Sequence, residues 1–240
     1  MNKLTDYHDY VFRDGRLVGE FEEMYRNSAT IPWHQDEQEN WIDVRLTKEM
    51  LRDLGWFDEI HDFGCGTGHY LDLMVKHGLA TNGKSYGYDV STTACEKAAS
   101  IFRHSAFSVL DLTQRTTNNE QRTTNNEQRT TNNEQRTTNN EQPARLFMIR
   151  GTLWYVFPKL ATVIENIANR MRYPDRLLIV QNFPPLRNSF IGKDVLPDHF
   201  ALLKHFSSHF AVDRHIWYED QMKAANDNWF IGLFSLKDKN

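Results

Sequence analysis

Residues 59–78 read EIHDFGCGTGHYLDLMVKHG. A short run carrying Ile60 and Phe63 meets a glycine-rich turn, Gly64-Cys65-Gly66-Thr67-Gly68, and then Tyr70, Leu71, Leu73 and Met74 at helical spacing, with Gly78 as C-cap. This reads as strand, tight turn and helix, and the glycines let a ligand approach the backbone closely. Asp89 stands 25 residues after Gly64, at the end of a second strand, Ser85–Val90, where a carboxylate can accept from ribose hydroxyls. The turn departs from the Gly-x-Gly-x-x-Gly phosphate cradle, and no Gly-Lys-Ser/Thr element occurs, which weakens both readings that need a phosphate site.

The alternation continues downstream. Ser91 suits the N-cap of a helix over Thr92–Phe102, with Ala94, Cys95, Ala98 and Ile101 inward. Strands are expected at Ala106–Leu110, Arg145–Arg150 and Arg176–Gln181, and a helix after Pro158 carries Leu160, Val163, Ile164, Ile167 and Met171. Ala211–Tyr218 and Trp229–Leu236 are expected to close the sheet as an antiparallel pair. The class is α/β, a mostly parallel sheet with helices on both faces. Upstream, helical pieces around Tyr10–Tyr25 and Trp41–Leu54, the second stopped by Gly55, make residues 1–57 a lid over the C-terminal strand ends.

Residues 114–142 repeat Gln-Arg-Thr-Thr-Asn-Asn-Glu four times and end in Gln142. The period is seven but lacks an apolar seam, which excludes a coiled coil. The tract is expected to be a disordered surface insertion within one domain spanning 1–240, since it has nothing to bury. Three copies of the heptanucleotide AACAACG encode one such unit in permuted register, Asn-Asn-Glu-Gln-Arg-Thr-Thr, so the tract fits a DNA-slippage switch of the kind bacteria use to vary surface structures.

Composition bounds the partners. With 28 Lys+Arg against 32 Asp+Glu the net charge is −4, which argues against wide contact with nucleic acid or anionic lipid. Two cysteines, Cys65 and Cys95, read as buried small residues in a reducing compartment. The first residues lack a signal-peptide pattern and no apolar stretch suits a membrane span, so a cytoplasmic location is expected. The histidines and acids are scattered, and no metal site is expected.

His61-Asp62-Phe63-Gly64-Cys65-Gly66-Thr67-Gly68, then Gly87-Tyr88-Asp89-Val90-Ser91, then Leu110-Asp111-Leu112 resemble the class I S-adenosylmethionine-dependent methyltransferases. The resemblance implies the Rossmann-like seven-stranded fold of that family, S-adenosyl-L-methionine as cofactor and methyl transfer as activity. Gly64, Cys65, Gly66 and Gly68 would then pass beneath the methionine and ribose parts, and Asp62 would help hold the amino group. Asp89 would take the ribose hydroxyls, Tyr88 or Val90 would pack beside adenine, Asp111 would face the adenine amino group, and Leu112 the ring. Arg150 and Gly151 would stand near the methionine moiety, with structural pairing to an acid as Arg150's other reading.

For the acceptor, the expected pocket draws on Tyr25, Trp33, Trp154 and Tyr155, aromatics suited to stacking on a sugar, heterocycle or amine. His34 is the first general-base candidate and His69 the second, for a hydroxyl acceptor that must lose a proton. Asn182-Phe183-Pro184-Pro185 has the wrong order and place for an amino-directed DNA methyltransferase motif, and the prolines read as a strand stop. The leading expectation is methylation of a small molecule, with O-methylation of a nucleotide-linked sugar in bacterial surface-glycan biosynthesis as its finer form. The alternatives are N-methylation of an amine or amino sugar, and a non-catalytic partner that kept the fold.

Overall fold

The computed structural model describes residues 6–54, 57–115, 144–185, 188–220 and 228–237. The expectation of a disordered tract falls on residues 116–142, outside the described residues, as does the helix stop at Gly55.

The sheet comprises β1 (Phe57–Phe63), β2 (Ala80–Asp89), β3 (Ala106–Val109), β4 (Arg145–Arg150), β5 (Arg176–Phe183), β6 (Phe210–Tyr218) and β7 (Asn228–Leu236). Their spatial order is β3-β2-β1-β4-β5-β7-β6. The pairings of β1 with β2 and β4, of β2 with β3 and of β4 with β5 are parallel. Strand β7 runs antiparallel to both β5 and β6, the closing pair expected from the sequence. Leu146–Ile149 and Leu177–Val180 are wholly apolar because β4 and β5 are covered on both faces. One face holds Phe63, Phe147, Ile149, Leu177 and Ile179, and the other Ile60, Leu146, Met148, Leu178 and Val180. The edge strand β6 instead exposes Val212 to His215, and Phe183 ends β5 just before Pro184.

Helix α1 is Phe21–Asn27, α2 Ile42–Leu51, α3 His69–Lys76, α4 Thr92–Ile101, α5 Leu160–Arg170 and α6 His199–Phe206. Helix α5 buries Leu160, Val163, Ile164 and Ile167 on the first face, and α3 buries Tyr70, Leu71 and Met74 on the second. The chain starts at β1, moves outward through β2 and β3, and then returns to β4 on the other side of β1. That reversal opens a crevice above the C-terminal ends of β1 and β4, the usual ligand position of such sheets.

The N-terminal region corrects one expectation. Instead of one helical piece over Tyr10–Tyr25, a 3-10 turn (Tyr7–Tyr10) leads into a hairpin pairing Phe12–Arg13 with Arg16–Leu17, and only then α1. Asp14 and Gly15 both have positive φ, 50° and 70°, and this Asp-Gly turn breaks the helical pattern.

Candidate functional site

Three glycines turn the chain out of β1 in the left-handed region, Gly64 at φ 76°, Gly66 at 56° and Gly68 at 83°. The Gly64 and Cys65 N–H groups donate to the Tyr88 carbonyl at 2.7 and 2.9 Å. The Gly66 N–H donates to Asp89 Oδ2 and the Ser91 N–H to Asp89 Oδ1, both at 2.9 Å. The turn is thus fastened to the end of β2. Burial raises the Asp89 carboxyl above the usual range, while the Ser91 and Gly66 N–H groups work against that.

Asp89 lines a cavity of about 940 Å³ above the strand ends, whose wall there includes Gly64, Tyr88, Val90, Leu110, Asp111 and Leu112. Asp111 Oδ1 accepts from the Thr113 N–H at 2.8 Å and its hydroxyl at 2.7 Å. Burial opposes ionisation of Asp111, but the Thr113 and Gln114 donors prevail and hold its carboxyl low. Asn166 on α5 donates to the carbonyls of Leu112 and Gln114, each at 2.7 Å, and so fixes the chain leaving β3.

The Asp62 side chain, buried on β1, receives no hydrogen bond among the described residues. Burial pushes its carboxyl up to about 7, with the Arg150 guanidinium opposing and Asp89 assisting. Arg150, at the end of β4 on the same face, donates from Nε to Asp43 Oδ2 at 2.7 Å and from Nη1 to Gln38 Oε1. Its guanidinium lies 4.8 Å from the Tyr70 ring centroid and 5.6 Å from that of Trp229. Arg150 Nη2 is left without a partner, as are the nearby Asp43 Oδ1, Thr47 Oγ1 and Tyr70 hydroxyl. The structural pairing weighed for Arg150 is present, yet the residue also lines the cavity.

The N-terminal segment is fastened to the same loops. Gln35 Oε1 accepts from the Thr67 N–H at 2.9 Å and the Thr67 hydroxyl at 2.6 Å, on the glycine turn itself. A methyl group on Gly66 would run into the Gln35 amide and lie 2.6 Å from the Tyr25 hydroxyl. Glu22 Oε2 accepts from the Ser91 hydroxyl at 2.7 Å and the Thr93 N–H at 3.1 Å, at the start of α4. The Ser91 and Thr93 hydroxyls hold the Glu22 carboxyl down at about 2. Trp33 and His34, at φ 56° and 49°, are consecutive non-glycine residues in the left-handed region. Such positions cost of order 1–3 kcal/mol each and cluster at functional sites. The Trp33 ring sits 5.5 Å from that of Tyr155 and 6.1 Å from that of Tyr25, while His34 is exposed. Burial raises the hydroxyl pKa values of Tyr25 and Tyr155, so both remain neutral donors. Across the crevice, Trp154 Nε1 donates to the Asn182 carbonyl at 3.0 Å. The outer cavity wall adds Asn40, Trp41, Arg45, Tyr218, Asp220 and Trp229.

The cavity therefore brings together Tyr25, Trp33, His34, Gly64, Tyr88, Asp89, Val90, Asp111, Leu112, Arg150, Gly151, Trp154 and Tyr155. Asp62, Cys65, Gly66 and Gly68, though on the same strand end and turn, are not among the lining residues. The Cys65 thiol is buried and pushed up by that burial. His69 is not among the lining residues either: its ring meets the Thr67 hydroxyl at 3.0 Å and the edge of Phe102. Sequence reasoning missed Glu22, Gln35, Gln38 and Asp43. Asp43 alone left a signal, since 43, 47, 50 and 51 share one helical face and all are buried.

Among the described residues no cluster of three His, Cys, Asp or Glu side chains suits a metal ion, and no helix is long and apolar enough to cross a membrane. No protein-family model matches the sequence, and no curated protein matches it. Solved structures do resemble the fold. The N-methyltransferase NodS from Bradyrhizobium japonicum WM9, in complex with S-adenosyl-L-homocysteine, aligns with a TM-score of 0.57 at 12% identity, over 88% of this chain and 94% of that one. A structure described for conversion of a disulfide bond into a thioacetal group during echinomycin biosynthesis aligns at 0.57 and 16% identity, over 90% and 91%. A TehB-like SAM-dependent methyltransferase from Corynebacterium glutamicum aligns at 0.50 and 15% identity, over 81% and 87%. The chain has the Rossmann-like class I methyltransferase fold.

Proposed function

We propose that this protein is an S-adenosylmethionine-dependent methyltransferase acting on a small, sugar-linked acceptor. The observation that carries the reading is the left-handed glycine turn fastened to a buried carboxylate, Asp89, on the wall of a cavity large enough for a nucleoside and an acceptor.

The residues fit the cofactor. Asp62 is a buried carboxylate without a donor, suited to an ammonium, and Arg150 Nη2 is a buried donor without an acceptor, suited to a carboxylate. Asp89 would accept from ribose hydroxyls. Val90, Leu110 and Leu112 would cover adenine, and Asp111 would accept from its amino group. Gly151, whose β-position is open, leaves room beside Arg150. S-adenosylmethionine, when bound, supplies a methyl group already activated on sulfur. What the protein adds is alignment and exclusion of water. Residues 6–54 act as the lid, with Gln35, Glu22 and Asp43 as its fastenings. His34 serves as the base that takes the acceptor's hydroxyl proton.

Trp41, Trp154 and Trp229, with Asn40 and Asn182, support a sugar-linked acceptor, because indoles stack on the apolar face of a sugar ring while amides bond its hydroxyls. An amine acceptor is the second reading, favoured by Asp220 on the same wall. The test is a methyl-transfer screen over nucleotide sugars, amines and nucleic acids, read by mass spectrometry with Asp89→Ala and His34→Ala beside the wild type. The reading requires Asp89→Ala to lose cofactor affinity and His34→Ala to lose turnover while keeping that affinity. Unchanged affinity in Asp89→Ala overturns it.

A further inference from the structure

Gln38 joins two sides of the cavity. It is buried in the 3-10 stretch Pro32–Asn40 and stands on the cavity wall. Both ends of its carboxamide are used: Oε1 accepts from Arg150 Nη1, and Nε2 donates to the Trp33 carbonyl at 2.7 Å. Chemistry fixes that orientation, because a guanidinium only donates and a carbonyl only accepts. One end of the bridge is therefore the last residue of β4, where Arg150 Nη2 lacks an acceptor. The other end is the peptide joining Trp33 to His34, and both of those residues sit in the left-handed region. Two such non-glycine residues are strained, and one neutral hydrogen bond does not offset that cost by itself. Packing of the Trp33 ring against Tyr7, Tyr25 and Tyr155 adds to it, as do the bonds from Thr67 to Gln35. A strained step held by so few contacts is sensitive to how firmly each is anchored.

We propose that Gln38 is a positioning residue through which a carboxylate on Arg150 sets the acceptor side of the cavity. The inference rests on the methyltransferase reading, in which Arg150 holds the carboxylate of the cofactor. A carboxylate there fixes the guanidinium, the guanidinium fixes the Gln38 amide, and the amide holds the Trp33-His34 peptide in its strained form. Trp33 and His34 are then set for the acceptor only when the amino-acid end of the cofactor is in place, so the acceptor follows the cofactor. Gln35 offers a rival route into the same stretch, from the glycine turn. The nucleoside part of a ligand would act through that route without any carboxylate.

Hydrogen exchange of the His34 amide, which donates to the Ile31 carbonyl at 3.2 Å, separates the two routes. It is followed in the free protein, in protein saturated with S-adenosylhomocysteine, and in protein saturated with methylthioadenosine, a thioether nucleoside with no amino-acid end. S-adenosylhomocysteine is expected to slow exchange at least about tenfold, and methylthioadenosine to change it by less than about twofold. Gln38→Met, similar in volume but lacking the amide, should still bind S-adenosylhomocysteine through Asp89 and lose the protection. Without ligand, its His34 amide should exchange faster than that of wild type. Equal protection by the two ligands, or protection that survives in Gln38→Met, overturns the proposal and leaves the methyltransferase reading in place. A protein that binds neither ligand overturns both.

Discussion

Acidification should weaken cofactor binding through Asp62. Its carboxyl is pushed up to about 7 by burial, and no donor compensates. To hold an ammonium group it must be ionised, so binding below that pH has to drive off a proton. With a value of about 7, the protonated fraction is about 0.9 at pH 6 and about 0.1 at pH 8. Affinity for S-adenosylhomocysteine should therefore fall about tenfold, or about 1.4 kcal/mol, between those two pH values. Calorimetry in buffers of different ionisation heat should show about 0.9 of a proton released at the lower pH and almost none at the higher. Asp62→Asn should bind more weakly at pH 8 and lose the dependence. The sign for stability is opposite to the usual carboxylate case. The folded state keeps a proton that the unfolded chain releases, so stability declines as pH rises from the ordinary carboxylate range to about 7. Asp62→Asn should accordingly melt higher than wild type at pH 8. A wild-type affinity that is flat with pH, or a dependence that survives in Asp62→Asn, refutes the reasoning.

Gly66→Ala should lower stability by about 1–2 kcal/mol and detach the lid, because the new methyl meets the Gln35 amide and the backbone has φ 56°; thermal melts and limited proteolysis check this. Glu22→Ala should release α1 from the start of α4 and speed proteolysis of the N-terminal segment. Because the Glu22 carboxyl is held down at about 2, its contribution is present above the ordinary glutamate range and lost as pH falls toward 2, so wild type and variant should converge in strong acid. Removing residues 115–135, three whole heptads, should leave the melting temperature and cofactor affinity near wild type, as expected for a segment with no apolar side chain; loss of folding would show that the tract is structural.

The sheet was legible because its signal is local. Arg145–Arg150 agrees residue for residue, and the runs of β5 and β7 are extended by only two residues and one residue. β2 begins earlier than expected, at Ala80, because Thr81-Asn82-Gly83-Lys84 carries no apolar alternation and joins β1 through a register shift between Phe57 and Glu59. Asp14-Gly15 was a readable turn signal set among helix-like spacing, and the turn prevailed. The glycine turn, Asp89 and Asp111 could be singled out because each ends a strand or follows one within two residues. Glu22, Gln35 and Gln38 were not, since a polar side chain on an irregular or exposed segment looks alike whether it meets water or a loop 32 to 112 residues away. His69 shows the same limit: proximity to the glycine turn in sequence does not say which neighbours a helix-start side chain meets, here Thr67 and Phe102.

The arrangement at the centre of this account can be seen directly in a crystal structure with S-adenosylhomocysteine. The account predicts the adenosyl group lodged between residues 64–68 and β2, with both ribose hydroxyls donating to Asp89 and the amino group on Asp62. Density for the ligand elsewhere, or an Asp89 carboxylate directed away from the ribose, would contradict it.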